Sequence, residues 1–282
     1  MKRSDLAALT PDRFVDLARY PVDRLDAPEG RRLVAELREI LELKGACRLP
    51  GFVRPEIAAI MAEEMEALSA QAGRGRSEIN PYEFDPDLDA ETEAAKYPEN
   101  HPRRRLLRRS FRVLPYKDLP DATAIRRLYH WEALPPLLAG ILGFPRMYRF
   151  DDEYQAINVL YMGEGGEQQW HFDSNDFTIT LMMQKPERGG SFQYAPNIRT
   201  PKNENYDAVA KLLDGDLEGS KVVTVPIEAG DLMVFRGKYS MHRATPVEGA
   251  RDRILAVLCF DTEKGRSNLA ATNRRHYVDR PA

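Results

Sequence analysis

Apolar residues recur at helical spacing through the first third of the chain. In EGRRLVAELREILELKG, Leu33, Leu37, Ile40, Leu41 and Leu43 fall near one helical face, and Gly45 supplies a stop. ACRLPGFV then reads as a short entry strand ending in a turn. RPEIAAIMAEEMEALSAQAG follows as a second amphipathic helix, with Pro55 in its first turn and Gly73 beyond its end. Residues 74–100 are polar and carry three prolines; they read as a long ordered loop or lid in which Tyr82 and Phe84 have something to bury. ATAIRRLYHWEALPPLLAGILGF is helical again, broken by Pro135 and Pro136.

From about residue 148 the period changes to that of strands. MYRF, QAINVLYM, QQWHF, FTITLMMQ, SFQYA, KVVTVPI, DLMVFRG, SMHRATPV and RILAVLCFD follow one another, several separated by the turn signals GEGGE, ERGG and EAGD. NIRTPKNENYDAVAKLLDGDLEGS interrupts them as a loop with one short helix. This succession of short strands predicts an α+β protein with a double-stranded β-helix (jelly-roll) core over 148–282. A helical N-terminal layer over 1–147, with the entry strand and a lid at 74–100, packs on that core as one integrated domain.

Composition narrows the functional classes. With 43% hydrophobic residues the 282-residue chain has material for a sizeable core. A net charge of −3, from 41 basic and 44 acidic residues, gives no reason to expect a polyanion partner. The one dense basic run, HPRRRLLRRSFRVLPY, reads as a solvated face rather than a nucleic-acid footprint. An arginine of this run reaching inward to hold a substrate carboxylate is the further reading. Cys47 and Cys259 lie in apolar stretches and read as buried free thiols in a reducing cytosol. No apolar run of a signal peptide opens the chain and none approaches about 18 residues, so the expectation is a cytoplasmic protein with no membrane partner. No sustained heptad seam announces an oligomer.

The chemistry concentrates in QQWHFDSNDFTIT, residues 168–180. Alternation accounts for its apolar residues; His171 and Asp173, two apart, share one face of a strand. Further on, EAGDLMVFRGKYSMHRATPVEGARDRILAVLCFD brings His242 on a later strand and Arg253 at the head of another. Two imidazoles and one carboxylate form the ligand set of non-haem Fe(II) oxygenases, which leaves metal positions open for a chelating cosubstrate and dioxygen. Zinc takes the same set in a tetrahedral site with one water. Arg253 either snorkels out of its strand end or pairs inside, where a dicarboxylate needs a fixed bidentate cation. Arg251 has the same strand parity but falls in the turn, which ranks Arg253 first.

WHFD, followed by FTITLMMQKPERGGSFQYAPNIR and GDLMVFRGKYSMHRATPVEG, resembles the Fe(II)/2-oxoglutarate-dependent oxygenases. More narrowly it is similar to the branch containing free-amino-acid radical halogenases and related hydroxylases. The resemblance is tightest over residues 155–262, and GACRLPGFVRPEIAAIM is similar to the entry segment of phytanoyl-hydroxylase-type oxygenases. It implies His171, Asp173 and His242 as iron ligands and catalytic residues, and Arg253 as the anchor of the 2-oxoglutarate distal carboxylate. The implied cofactors are Fe(II), 2-oxoglutarate and O2. The implied reaction oxidises a small molecule, a free amino acid or a relative of one, with release of succinate and CO2. In the halogenases of this branch a small residue replaces the carboxylate ligand and leaves room for chloride. Asp173 is retained here, which favours hydroxylation; desaturation, cyclisation or C–C cleavage would start from the same complex.

Other candidates are secondary. Asn158 and Tyr161 lie on opposite faces of QAINVLYM, and Asn158 is the one offered to 2-oxoglutarate or substrate. Thr245 is a candidate hydrogen-bond partner near the cosubstrate. Asp151, Asp152 and Glu153 form either a solvated turn or a clamp for a substrate amine, for which Asp152 and Glu153 stand first. Asp176 is a minor candidate for substrate contact. Trp170 packs behind the metal strand, and His101, His130 and His276 sit in contexts that mark them as non-ligands. The competing class, a non-catalytic metal-binding jelly roll, gives Arg253 nothing to do.

Overall fold

Strand residues that alternate between two apolar environments build a sheet buried on both faces. The computed structural model describes residues 8–83, 86–267 and 277. Its helices are α1 (Pro28–Lys44), α2 (Pro55–Leu68), α3 (Pro86–Lys96), α4 (Ala124–Tyr129), α5 (Leu134–Leu142) and α6 (Tyr206–Leu213). Helix α1 ends where Gly45 takes φ of 72° and returns its N–H to the Leu41 carbonyl, a left-handed cap that glycine enters without steric cost. The segment expected to be a loop or lid holds α3, while Phe84 lies outside the described residues. The break expected at Pro135 and Pro136 comes earlier, between α4 and α5. The prolines sit inside the first turn of α5, where an amide N–H would have no helical partner in any case.

The strands in chain order are β1 (Ala46–Leu49), β2 (Gly73–Arg74), β3 (Glu78–Ile79), β4 (Leu107–Ser110), β5 (Arg112–Pro115), β6 (Tyr148–Arg149), β7 (Ile157–Met162), β8 (Glu167–His171) and β9 (Thr178–Gln184). They continue as β10 (Arg188–Gly189), β11 (Phe192–Ala195), β12 (Val223–Val225), β13 (Leu232–Phe235), β14 (Met241–Ala244), β15 (Val247–Glu248), β16 (Arg253–Leu258) and β17 (Phe260–Asp261). A seven-stranded sheet runs β1-β13-β9-β16-β7-β5-β2 and faces a six-stranded sheet, β12-β11-β14-β8-β4-β3. The pairings are antiparallel, with two small ribbons, β10–β15 and β6–β17, at the periphery. This is a jelly roll. Residues before 148 supply five of its strands, β1 to β5, as well as helices α1 to α5.

The two-faced pattern is clearest in β16. Ile254, Ala256 and Leu258 enter one core with residues of α1, α2, α4 and α5, whereas Arg253, Leu255 and Val257 face the opposite sheet. Strand β7 divides in the same way: Ile157, Val159 and Tyr161 go to the helices and Asn158, Leu160 and Met162 to the inter-sheet space. On the outer side of the smaller sheet, α6 lays Val209 and Leu212 against Trp170, Phe172 and Met241.

The basic run is drawn into the fold. Arg103 pairs with Glu93 at 2.6 Å, Arg105 with Asp214 at 2.7 Å, Arg108 with Glu167 at 3.2 Å and Arg112 with Asp252 at 3.3 Å, while Arg109 is buried. Both cysteines are free thiols, Cys47 buried and Cys259 partly so. Among the described residues no helix is long and apolar enough to cross a membrane.

Leu181, in β9, is fully buried in the helix-side core, whereas Leu43 of α1 is 71% exposed. Leu181→Ala should cost about 2–5 kcal/mol in denaturant unfolding, and Leu43→Ala should stay within about 0.5 kcal/mol. Equal losses would mean that the burial pattern described above is wrong.

Candidate metal centre and active-site cavity

Between the sheets lies a cavity of about 220 Å³, and His171, Asp173 and His242 sit on its wall. His171 ends β8 and His242 lies directly opposite it on β14. The register between these strands shifts, so that His171 pairs with His242 but Gln168, rather than Gln169, pairs with Ala244. That bulge turns both Gln168 and His171 into the cavity although they are three residues apart; a regular strand would send them to opposite faces. Asp173 lies just past the strand end rather than within it, fixed by its N–H to the Gly237 carbonyl at 3.1 Å.

The hydrogen bonds select the atoms free to bind a metal. His171 Nδ1 donates to the Gln169 carbonyl at 2.8 Å, and His242 Nδ1 to the Ser240 carbonyl at 3.1 Å. Nδ1 of each ring is thereby committed as a donor and Nε2 is the atom turned toward a metal; that of His171 lies 2.8 Å from the Gln168 amide nitrogen. The two Nε2 atoms are 3.7 Å and 3.4 Å from Asp173 Oδ1. The other oxygen of Asp173 accepts the Thr178 hydroxyl. One ligand atom from each residue lies within 4.8 Å of the others. Two ligands about 2.1 Å from a shared ion are about 3.0 Å apart at a right angle, so modest contraction brings all three onto one metal. The donor set fits a divalent cation held from one side.

The electrostatics match that use. Burial, reinforced by the neighbouring His242, pushes the His171 imidazole down to about 3, which keeps its nitrogen available. Burial opposes ionisation of Asp173 and of His242, but their mutual attraction wins, holding the carboxyl down at about 2 and His242 above the ordinary imidazole value. A bound cation would take over the stabilisation that the two now give each other.

Arg253 lines the same cavity and is 2% exposed. Its Nε donates to the Gly190 carbonyl at 2.9 Å and Nη1 lies 3.9 Å from Met162 Sδ. No carboxylate pairs with it among the described residues, and burial lowers its guanidinium to about 10. Arg251 is exposed.

The remaining sequence candidates scatter. Asn158 lines the cavity, and its amide is engaged by the Gln155 carbonyl and the Tyr277 hydroxyl. Tyr161 points the other way and donates to the Met65 carbonyl. Thr245 lies outside the cavity wall, where its hydroxyl accepts from Ser191 N–H. Asp152 is buried as a turn cap, accepting from the N–H groups of Tyr154 and Gln155 at 2.9 Å each, and Glu153 is exposed; neither lines the cavity. Asp176 pairs with Lys238 at the surface. His101 stacks on Tyr97 and His130 bonds Tyr116, while His276 lies outside the described residues. Sequence reading missed Glu83, Gln168 and Gln155 at the cavity wall, and of the arginines of the basic run it is Arg109 that reaches it, beside Phe111 and Val113. Only the Asn80-Pro81 turn signal before Glu83 hinted that the chain doubles back there.

A jelly roll holding two histidines and a carboxylate at one end of an inter-sheet cavity, with a buried arginine on the same wall, is the architecture of the Fe(II)/2-oxoglutarate oxygenases. The Halogenase D family matches residues 107–277, and the chain belongs to it. Solved structures of similar fold include AviO1 from Streptomyces viridochromogenes Tue57, 16% identical with TM-score 0.54, covering 83% of this chain and 97% of that one. The non-heme alpha-ketoglutarate-dependent epimerase SnoN from nogalamycin biosynthesis is 14% identical with TM-score 0.53, covering 82% and 81%. An oxidoreductase of the 2OG-Fe(II) oxygenase family from Burkholderia pseudomallei is 14% identical with TM-score 0.51, covering 83% and 92%. At such identities the likeness is one of fold. No curated protein matches the sequence.

Gly237 touches the site through absence: a Cβ there would overlap the Asp173 carboxylate. Gly237→Ala should therefore weaken Fe(II) binding, measured anaerobically by calorimetry, by about 10- to 100-fold with the circular dichroism spectrum retained. Unchanged affinity would show that Asp173 does not need that space.

Proposed function

We propose that the protein is an Fe(II)/2-oxoglutarate-dependent hydroxylase of a small, amino-acid-like substrate. The observation that carries this reading is one cavity lined by both a three-residue metal set and a buried arginine that, among the described residues, no carboxylate neutralises. Leaving a guanidinium uncompensated in a protein interior costs several kcal/mol, so the site is built for an anionic ligand. A dicarboxylate that bridges from His171, Asp173 and His242 to Arg253 meets both demands.

Iron with 2-oxoglutarate and dioxygen supplies oxidative decarboxylation to succinate and CO2 and the power to oxidise an unactivated C–H bond. The chain's own contribution is geometric and electrostatic. His171 and His242 offer Nε2 because Nδ1 of each is tied to the backbone. Asp173 offers one oxygen while Thr178 holds the other. Arg253, fixed through Nε to the Gly190 carbonyl, presents the rest of its fork to the far carboxylate. Leu160, Phe192, Ile227, Phe235 and Leu255 line the cavity between and limit water there. Family membership would also suit halogenation. Asp173 favours oxygen insertion because its carboxylate fills the position that a halide would need and is packed against Gly237 and Thr178.

With Fe(II), ascorbate and 2-oxoglutarate the protein should release succinate, and mass spectrometry over free amino acids should find a product heavier by one oxygen. Asp173→Ala should abolish turnover; full succinate release after loss of both His171 and Asp173 would overturn the metal assignment. A chlorinated product in the presence of chloride would overturn the hydroxylase reading.

The cosubstrate anchor is tested separately. Arg253→Ala should raise the 2-oxoglutarate concentration required by about 30-fold or more, whereas Arg251→Ala should change it by less than about threefold. The reverse order would remove Arg253 from the anchoring role.

A further inference from the structure

Two carboxylates line the cavity among the described residues, Asp173 and Glu83. The first belongs to the metal set. Glu83 lies outside the group of atoms close enough to share an ion, so it faces whatever occupies the space beside the metal. We propose that Glu83 is a substrate-contacting residue that recognises a protonated amine, and that it is the specificity-determining acid of this site. The inference rests on the oxygenase reading above and adds to it the residue that selects a cationic group.

The local structure holds Glu83 in place at a conformational cost. Its φ is 56°, a left-handed conformation that costs a β-carbon-bearing residue on the order of 1 kcal/mol and persists only where its surroundings enforce it. The enforcement is visible. Asn80 caps the turn, accepting the Tyr82 N–H on Oδ1 at 2.8 Å and the Glu83 N–H on its carbonyl at 2.9 Å. Its own amide donates to the carbonyls of Arg103 and Arg105. The Pro81 carbonyl accepts the N–H of Phe172 at 2.7 Å, and one Glu83 oxygen accepts the N–H of Ser174 at 3.3 Å. The turn is thus stitched onto the stretch that carries Asp173. The second Glu83 oxygen makes no hydrogen bond among the described residues, and its carboxylate lines the cavity.

The charges around the cavity assign the role. Metal and cosubstrate engage Asp173 and Arg253. The Arg243 guanidinium lies over the Trp170 ring and donates to Gln193 at 2.8 Å. Arg109 is the other cation at the wall and its charge reaches Glu83. A substrate with an ammonium at Glu83 meets the one carboxylate that metal binding leaves over. The acids that sequence reading offered for this task, Asp152 and Glu153, point elsewhere. Beside the Arg109 charge, the second Glu83 oxygen still discriminates between a charged amine and its neutral counterpart, because only the charged amine makes a charge-assisted hydrogen bond to it.

The test compares free amino acids with the same amino acids acetylated at every amine. Wild-type protein is loaded anaerobically with Fe(II) and 2-oxoglutarate, and the absorption band of the chelate is followed as each compound is added. Free amines should perturb the band at concentrations about 10- to 100-fold lower than their acetylated forms. In Glu83→Gln, which keeps the shape and removes the charge, that ratio should fall to within about threefold, with the band forming at the same 2-oxoglutarate concentrations as in wild type. Equal response of the wild type to free and acetylated compounds would overturn the proposal without recourse to a variant, as would undiminished discrimination in Glu83→Gln. Absence of the chelate band altogether would instead refute the oxygenase reading, so the two failures are separable.

Discussion

Burial of the seven-stranded sheet on both faces is the constraint on which the rest of the structure depends. Once helices cover one face and a second sheet the other, each strand must alternate between a dry helix-side core and the inter-sheet cavity. Along β16, Ile254 and Ala256 then belong to the helix side and Arg253, Leu255 and Val257 to the cavity, while Leu258 at the strand end touches both. The site is the set of positions at which the cavity-facing half of that alternation is polar. Arg253 and Asn158 come from the larger sheet, and His171 and His242 from the smaller. Their distances are set by sheet pairing and sheet stacking rather than by loops, which is the rigidity a reactive metal centre requires.

Polar groups in such a space have to be satisfied or left deliberately for a ligand, and the cavity contains both kinds. The two imidazoles have one nitrogen each bound to backbone, while the other, Nε2, is turned toward Asp173. Asp173 has one oxygen held by Thr178 and one facing the histidines. Arg253 uses Nε on a carbonyl and has no anionic partner among the described residues. In each case the protein uses enough hydrogen-bonding capacity to fix orientation and leaves the remainder pointing at the same volume. A structural core of this composition would close on itself. On the proposed function, the open valences would be met by a cation at His171, Asp173 and His242, a dicarboxylate reaching to Arg253 and a third molecule beside Glu83.

Much of this was legible in the chain because it rests on period. The strand runs after residue 148 predicted a roll that returns His242 beside His171, as the pairing of β14 with β8 does; the i, i+2 strand relation assumed for Asp173 does not apply, because β8 ends at His171 and the Gly237 carbonyl fixes Asp173 instead. What escaped had a local cause in each case. The bulge in β8 that turns Gln168 inward depends on the pairing with β14, and no single-strand pattern encodes it. Asp152 looked like a substrate acid because it precedes a cavity strand; its carboxylate instead closes a turn on Tyr154 and Gln155, a habit of aspartate that competes with any longer-range role. Thr245 is engaged by the backbone across the roll. Glu83 sits in a polar, proline-containing stretch where neither helical nor strand period applies, so only the tertiary contacts of Asn80 and Phe172 reveal where it points.

The aspartate at 173 and the missing side chain at 237 are a single structural decision. A carboxylate needs volume beside the metal, and here that volume is taken from the Gly237 position, whose carbonyl also fixes the Asp173 N–H. Thr178 then holds the oxygen that the metal does not need. Replacing Asp173 with a small residue would therefore not simply vacate one coordination position. It would leave the Thr178 hydroxyl without its acceptor and open a polar space beside Gly237. Oxygen-inserting and halide-using versions of one roll would then differ in how three side-chain positions share one pocket, not in the metal-binding histidines, which stand on paired strands and are indifferent to the exchange.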